Sequence, residues 1–167
     1  RIKALHLAVR SLFVEATPQG ATLCCKHLEK GFEMADLQAA AKRVARFREV
    51  MAQRGYDAVV LRHNPDLRWL TDAERVFDFE QAHTAFITQD ELFMHTDSRY
   101  YNTFLERLGA DSPWKFDQEV TTPTEWVATH IAEARARVVA IEDTVDLAFF
   151  DGLEQALRDH SIAALLP

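Results

Sequence analysis

The first regular pattern of apolar and polar residues runs from Leu37 to Met51. Apolar residues recur there at steps of three and four, and charged residues fill many of the positions between them, which is typical of an amphipathic helix. Asp36 is placed to cap this helix and Gly55 to end it. The run AVVL at residues 58–61 contains no polar residue, and it predicts a strand that is covered on both faces.

Further along the chain, β-prone and helical segments alternate. Residues 64–70 predict a turn followed by one turn of helix. Residues 83–88 and 91–96 are two short β-prone runs joined by a two-residue turn, so they predict an antiparallel hairpin. Asp97 is then placed to cap a helix that Gly109 ends.

The last third of the chain continues this alternation. Thr122-Pro123-Thr124-Glu125 has the cap, the proline and the acid of a capping box, so a helix is expected from here to about Ala136. The other predicted elements are strands at 114–120, 138–141 and 162–166 and a helix whose apolar face carries Leu147, Phe150, Leu153 and Leu157. Together these elements predict an α/β domain with a mixed sheet.

The composition argues against several function classes. The 167 residues carry 26 acidic and 19 basic side chains, a net charge of −7, and no basic run, so we expect no nucleic-acid partner. The uncharged apolar stretches are shorter than the roughly 18 residues that a membrane span needs, so we expect no membrane partner. No GxGxxG or GxxxxGKS/T motif occurs, which argues against dinucleotide and nucleoside-triphosphate sites.

Residues 1–33 differ in composition from the rest of the chain. Basic residues outnumber acidic ones before Met34, and the reverse holds after it. We therefore expect an N-terminal extension over residues 1–33, with Met34 as a candidate native start, and one domain over residues 34–167. The adjacent Cys24 and Cys25 are too close for an unstrained disulfide, which favours a reducing compartment such as the cytoplasm.

Two sets of side chains could form a metal site. His83 and His95 could face each other across the predicted hairpin, but cross-strand histidines are more often surface pairs than ligands, and none of the seven histidines lies in an HExxH motif. Four carboxylates near predicted element ends could be interpreted as a nuclease-type cluster: Asp57, Asp97, Glu142 and Asp143. The acidic composition without a basic groove argues against that, so we expect no metal in this chain.

Four segments occur in the order and spacing seen in the N-terminal domain of creatinase, prolidase and aminopeptidase P-like proteins. They are residues 46–61 (RFREVMAQRGYDAVVL), 64–71 (NPDLRWLT), 96–100 (TDSRY) and 139–150 (VAIEDTVDLAFF). The chain therefore resembles this family over about residues 38–166. It departs from the family pattern in having Asp72 where a glycine often follows the Leu-Thr pair, and Ser98 where the family often has glycine.

The resemblance implies a creatinase N-terminal-like fold with a ribonuclease H-like motif: a mixed, largely parallel sheet with one antiparallel hairpin and helices on both faces. It also implies a non-catalytic domain. In this family a following pita-bread domain holds two divalent metals, Mn, Co or Zn, that activate a water molecule, and that domain is not within these 167 residues. We therefore expect no cofactor and no catalysis from this chain alone, within a parent Xaa-Pro peptidase or creatinase-type hydrolase.

The role that the resemblance implies is subunit assembly, as a homodimer that also contacts its own C-terminal catalytic domain, and gating of a neighbouring subunit's active site. The gating loop would be residues 72–81, where Arg75 could hold a substrate carboxylate and Phe77 and Phe79 could wall a small side chain. The simpler interpretation is a solvated loop whose phenylalanines pack on the domain's own core. A free-standing binding or scaffold module with the same fold remains the alternative function.

Asp97, Arg99 and Tyr100 lie in one of the resembling segments and could suggest a catalytic role. Asp97 stands where a helix N-cap is expected, and Arg99 in the first turn could pair with a nearby acid. We therefore interpret the three residues as a structural motif.

Overall fold

The computed structural model of the chain describes residues 4–7, 35–73, 76–77, 80–117 and 120–163. The strands are β1 (Ala4–Leu7), β2 (Ala58–Leu61), β3 (His83–Thr88), β4 (Leu92–Thr96), β5 (Trp114–Asp117) and β6 (Val138–Ile141). The helices are α1 (Leu37–Arg54), α2 (Asn64–Thr71), α3 (Ser98–Leu108), α4 (Pro123–Glu133) and α5 (Leu147–Ala163).

Within these described residues the six strands form one sheet in the order β1-β6-β2-β3-β4-β5. The pairs β1–β6, β6–β2 and β4–β5 are parallel, and β3 is antiparallel to both of its neighbours. Five strands therefore run in one direction and β3 runs in the other. The predicted mixed, largely parallel sheet with one antiparallel hairpin is confirmed.

Alternate residues of the central strands pack on opposite faces of the sheet. Val59 and Leu61 of β2 contact the cluster that α1, α2 and α3 cover, and Ala58 and Val60 contact the cluster that α4 and α5 cover. All four side chains are fully buried. The unbroken apolar run that predicted a strand covered on both faces thus has helices on both sides, as expected for a period-two pattern.

The caps predicted for both ends of α1 and for the start of α4 are present in the structure. The Asp36 side chain accepts hydrogen bonds from the backbone at Gln38 and Ala39, and Thr122 accepts one from Glu125. Gly55 ends α1 with a φ of 71°, a left-handed conformation that glycine adopts at little cost. Local capping signals therefore determine where these helices begin and end.

Three sequence-based expectations are wrong in detail. α4 ends at Glu133 rather than near Ala136, because the backbone at Arg135 turns into the left-handed region with a φ of 52°. The buried side chains of α5 include Phe149 and Leu153, while Leu147 is exposed. α5 continues through Ala163, so the strand predicted from residue 162 does not begin there.

β1 is an element that the hydrophobic pattern did not predict. It pairs in parallel with the outer edge of β6, with Ala4 opposite Val138 and Leu7 opposite Ile141. The strand belongs to the segment 1–33 that was expected to be an extension. The cysteines at 24 and 25 lie outside the described residues.

Candidate functional site: a crevice at the carboxyl edge

Strands β2, β4, β5 and β6 run in the same direction, so they end at one edge of the sheet, here called the carboxyl edge. A crevice of about 710 Å³ lies at this edge, between the beginnings of α3 and α4. It is lined by residues 80–82, the end of β4, the first turns of α3, and Val120, Thr121 and Pro123.

The topology explains why a crevice opens here. α3 follows β4 and packs on the face of α1 and α2, whereas α4 follows β5 and packs on the opposite face. When two neighbouring parallel strands are followed by helices on opposite faces of the sheet, the beginnings of those helices lie apart and leave a crevice between them. The crevice is thus a consequence of the strand order.

A network of charged side chains forms one wall of the crevice. Asp97 accepts a hydrogen bond from the backbone N–H of Arg99 (2.9 Å) and caps α3. The Arg99 guanidinium donates to Asp97 (3.0 Å) and to Glu80 (3.0 Å), and the Tyr100 hydroxyl donates to the same Glu80 carboxylate (3.3 Å). The segment before β3 is thereby joined to the first turn of α3.

The contacts between Asp97 and Arg99 favour the charged forms of both side chains. The hydrogen bonds from Arg99 lower the pKa of the Asp97 carboxyl group, and the Asp97 and Glu80 carboxylates raise the pKa of the Arg99 guanidinium. All three side chains are solvent-exposed, so the pairing fixes geometry more than it adds stability. With two acids and one base, the network carries one net negative charge.

His95 reaches the crevice from the end of β4 and is buried, with 7% of its surface exposed. Its imidazole stacks on the Trp126 indole at a centroid distance of 5.2 Å. Trp126 in turn contacts the His130 ring at 4.2 Å, and His130 Nδ1 lies 3.0 Å from the Trp126 carbonyl oxygen. The crevice therefore combines a charged wall with one buried imidazole, that of His95, which rests on an indole outside the lining.

Of the three predicted gating residues, the structure describes Phe77 alone. Phe77 is buried, with 2% of its surface exposed, and it packs edge-on against His83 and Phe104 at 5.2 Å each. Phe77 therefore packs on the domain's own core, as in the simpler interpretation of this loop. Arg75 and Phe79 lie outside the described residues, and their gating role stays a prediction.

The two histidines of the hairpin do not face each other, contrary to the expectation from sequence. The β3–β4 register places His83 opposite Thr96 and Thr84 opposite His95. A shift of one residue sends a side chain to the other face of a sheet. His83 accordingly lies on the face of α3, with Nδ1 2.8 Å from the Thr96 hydroxyl, and His95 lies on the face of α4.

The four carboxylates considered as a nuclease-type cluster are also not brought together. Asp57 precedes β2, at the edge opposite the crevice, where it accepts hydrogen bonds from the backbone of Arg137 and Val138. Asp97 and Glu142 follow β4 and β6, which β2 and β3 separate. The described part of the chain contains no group of three or more His, Cys, Asp or Glu side chains that could hold a metal ion.

Pattern analysis missed Glu80, the residue that accepts from both Arg99 and Tyr100. It follows an irregular segment with no period, and its partners lie 19 and 20 residues away. Asn64 lies in the segment predicted as a turn, but it begins α2, and its side-chain amide donates to the Glu80 carbonyl oxygen at 2.9 Å. No local signal identifies either contact, because both depend on the path of the intervening chain.

Residues 43–166 match the family model of the creatinase/prolidase N-terminal domain. The chain belongs to this family. The match covers every helix and strand described above except β1, and it begins within α1. No curated protein matches the sequence.

Solved structures share this creatinase/prolidase N-terminal fold. The aminopeptidase P of Streptococcus thermophilus is 20% identical over 71% of this chain and 85% of that chain, with a TM-score of 0.60. The Xaa-Pro dipeptidase of Bacillus anthracis is 18% identical over 71% of this chain but only 31% of that chain, with a TM-score of 0.60. The N-terminal domain of the cytoplasmic peptidase PepQ of Mycobacterium tuberculosis is 19% identical over 66% and 81%, with a TM-score of 0.53.

These likenesses establish the fold of the creatinase/prolidase N-terminal domain for this chain. The family match begins at residue 43, so it does not include residues 1–42. Among the described helices none is long and apolar enough to cross a membrane.

Proposed function

We propose that this chain is the non-catalytic N-terminal domain of a creatinase or Xaa-Pro peptidase-like metallohydrolase, and that it serves subunit assembly and gating of a neighbouring subunit's active site. The family match over residues 43–166 carries the proposal, since the solved relatives are named aminopeptidase P and Xaa-Pro dipeptidase. The chemistry would lie in a separate catalytic domain with two divalent metals, Mn, Co or Zn. A cytoplasmic location is proposed with it, because one relative is named a cytoplasmic peptidase.

Exposed apolar side chains at the carboxyl edge support the assembly role. Val120, which lines the crevice just before α4, is fully exposed, and Leu147 at the start of α5 is 79% exposed. Two of the three large apolar side chains that are exposed among the described residues thus lie at this edge, and exposed apolar surface is what an interface with another protein buries. We therefore infer that this edge faces a neighbouring subunit or the catalytic domain.

Sedimentation equilibrium tests the assembly role. We expect the wild-type chain to form a dimer and the double variant Val120→Lys/Leu147→Lys to dissociate with a Kd at least about tenfold higher, because lysine cannot be buried unpaired at an interface. Leu105→Lys is the matched control, since Leu105 is 43% exposed but lies two turns into α3. A monomeric wild type, or equal weakening by Leu105→Lys, would contradict the assembly role.

A parallel assay of Xaa-Pro cleavage with added manganese or cobalt tests the non-catalytic role. We expect no turnover from this chain alone. Metal-dependent turnover that increases with enzyme concentration would mean that catalytic ligands exist within these 167 residues, and the proposal would fail.

A free-standing binding module is the second candidate, and the crevice of about 710 Å³ favours it, since its volume lies in the range of small-molecule sites. The coding sequence downstream of codon 167 distinguishes the two. A reading frame that continues for roughly 200 residues or more with spaced Asp, Asp, His, Glu and Glu supports the first candidate, because a separate catalytic domain needs a chain of about that length. A stop codon supports the module.

A further inference from the structure

The segment that leads into β3 is bound at its main-chain carbonyl groups by three side chains. The Arg68 guanidinium donates to the Phe77 carbonyl oxygen (2.9 Å), the Asn64 amide to that of Glu80 (2.9 Å), and the Arg62 guanidinium to that of Gln81 (3.2 Å). We call residues 76–77 and 80–82 the wall segment, since its last three residues line the crevice.

The three donors are themselves held in place. Arg62 and Asn64 are each only 8% exposed, and the Arg62 guanidinium lies over the Phe149 ring at 4.3 Å. Asn64 and Arg68 belong to α2, whose Leu67 and Leu70 are fully buried in the core. A donor with a fixed side chain loses little conformational entropy when it binds, so its hydrogen bond restrains the acceptor effectively.

The wall segment is held from two other directions as well. Its own Val76 and Phe77 side chains are buried in the core, with 1% and 2% of their surfaces exposed. The Glu80 carboxylate accepts from Arg99 and Tyr100 of α3 on the crevice side. Segments that open as lids have few buried apolar contacts and solvent-exposed backbone hydrogen bonds. The wall segment has the opposite properties.

We propose that Arg62, Asn64 and Arg68 are positioning residues that hold the wall segment as a fixed wall of the crevice. The crevice wall is formed before anything binds there, and no closing motion of the wall segment accompanies binding. Gating by residues 72–81 would therefore rest on the fixed shape of this segment and not on its movement. The proposal concerns this chain by itself. It stands or fails independently of assembly and of any catalytic partner.

Backbone ¹⁵N relaxation of the whole chain tests the proposal. In the wild type the N–H groups of Val76, Phe77, Glu80 and Gln81 should have order parameters near 0.85, the level of rigid backbone. Arg68→Met keeps the apolar stem and removes the donor, and Asn64→Leu does the same for the amide. In each variant the order parameters of the wall segment should fall toward 0.6 or below while those of α4 stay unchanged.

Two further variants separate positioning from general stability. Arg46→Met is the matched control, because the Arg46 guanidinium bonds Glu49 on the same exposed face of α1. Arg68→Lys retains a donor that can reach the Phe77 carbonyl oxygen, and it should restore most of the lost order. A purely structural role for Arg68 would change order parameters throughout the core rather than in the wall segment alone.

Two results would overturn the proposal. One is order parameters below about 0.6 in the wall segment of the wild type, and the other is the same order parameters there in Arg68→Met as in the control Arg46→Met. If Arg68→Met and Asn64→Leu do not fold, Arg99→Met provides the test from the exposed side. It removes the guanidinium bond to Glu80 at a side chain that is 62% exposed. Order parameters at Glu80 and Gln81 that stay near 0.85 in that variant support the three donors as the residues that hold the wall segment, and a fall below about 0.6 with those donors intact contradicts the proposal.

Discussion

Asp72 shows how a charged side chain can occupy a backbone position that favours glycine. It ends α2 with a φ of 58°, in the left-handed region, where the family often has glycine. Its carboxylate accepts a hydrogen bond from the backbone N–H of Asp36 (2.8 Å) and contacts the Arg43 guanidinium. These contacts join the end of α2 to the start of α1 and offset the backbone cost.

Ser98 is the other residue that departs from the family pattern. It is an exposed residue in the first turn of α3 without a positive φ, so no glycine is required there.

Substitution of Asp72 tests this balance. Asp72→Ala keeps the strained φ and loses both contacts, so we expect it to lower the free energy of unfolding by about 2 kcal/mol. Asp72→Asn tolerates the left-handed conformation and can still accept from Asp36, so its loss should be about half as large. Urea unfolding at pH 7 measures both. Equal stability of Asp72→Ala and wild type would show that the contacts do not matter.

Single carboxylates at the ends of β2 and β6 join these two neighbouring strands. At one edge Asp57 accepts from the backbone N–H groups of Arg137 (2.7 Å) and Val138 (2.9 Å). At the carboxyl edge Glu142, only 3% exposed, accepts from the backbone N–H of His63 (2.9 Å). The two acids respond differently to their surroundings: hydrogen bonds lower the pKa of Asp57, whereas burial raises the pKa of Glu142. The two parallel strands are thus joined by side-chain hydrogen bonds in addition to the backbone hydrogen bonds that pair them.

The lowered pKa of Asp57 predicts a pH dependence of stability. The backbone N–H groups of Arg137 and then Val138 favour the carboxylate, so its folded pKa lies below the ordinary value of 3.8. Its contribution is therefore fully present above pH 3.8 and is lost as the pH falls through the folded pKa. Asp57→Asn should lower the free energy of unfolding by about 1 kcal/mol at pH 7, and by less below the ordinary pKa.

This prediction is checked by urea unfolding of wild type and Asp57→Asn at pH values from about 2.5 to about 7, which gives the free energy of unfolding of each protein at each pH. Asp111→Asn, in the exposed turn after α3, is the control and should not change stability. A difference between Asp57→Asn and wild type that stays constant down to the lowest pH would contradict the assignment.

At the scale of the whole molecule, two hydrophobic clusters share one sheet. Leu67 of α2 and Leu153 of α5 are fully buried on opposite faces, and β2, β3 and β6 contribute side chains to both clusters. Neither cluster can lose its packing without exposing strands on which the other depends. The molecule should therefore unfold as one cooperative unit.

Core truncations on the two faces test this coupling. Leu67→Ala and Leu153→Ala should each lower the free energy of unfolding by about 3 kcal/mol. In both variants the indole N–H signals of Trp69 and Trp126, which lie on opposite faces, should disappear at the same urea concentration. Loss of one signal well before the other would show that the faces unfold separately.

The sequence by itself determined the type and order of most elements. Helical spacing from Leu37, the apolar run at 58–61 and the caps at Asp36, Asp97 and Thr122 act over a few residues, so their outcome does not depend on distant parts of the chain. For the same reason the family resemblance could be recognised from four short segments. The family match over residues 43–166 confirms it.

Only the tertiary structure decided the register, the crevice and the wall segment. The one-residue offset that places His83 and His95 on opposite faces comes from hairpin pairing, and the opening between α3 and α4 comes from strand order. Glu80 meets Arg99 from 19 residues away, and Asp57 meets Val138 from 81 residues away. Such contacts depend on the geometry of the assembled sheet, which no periodicity within a single element encodes.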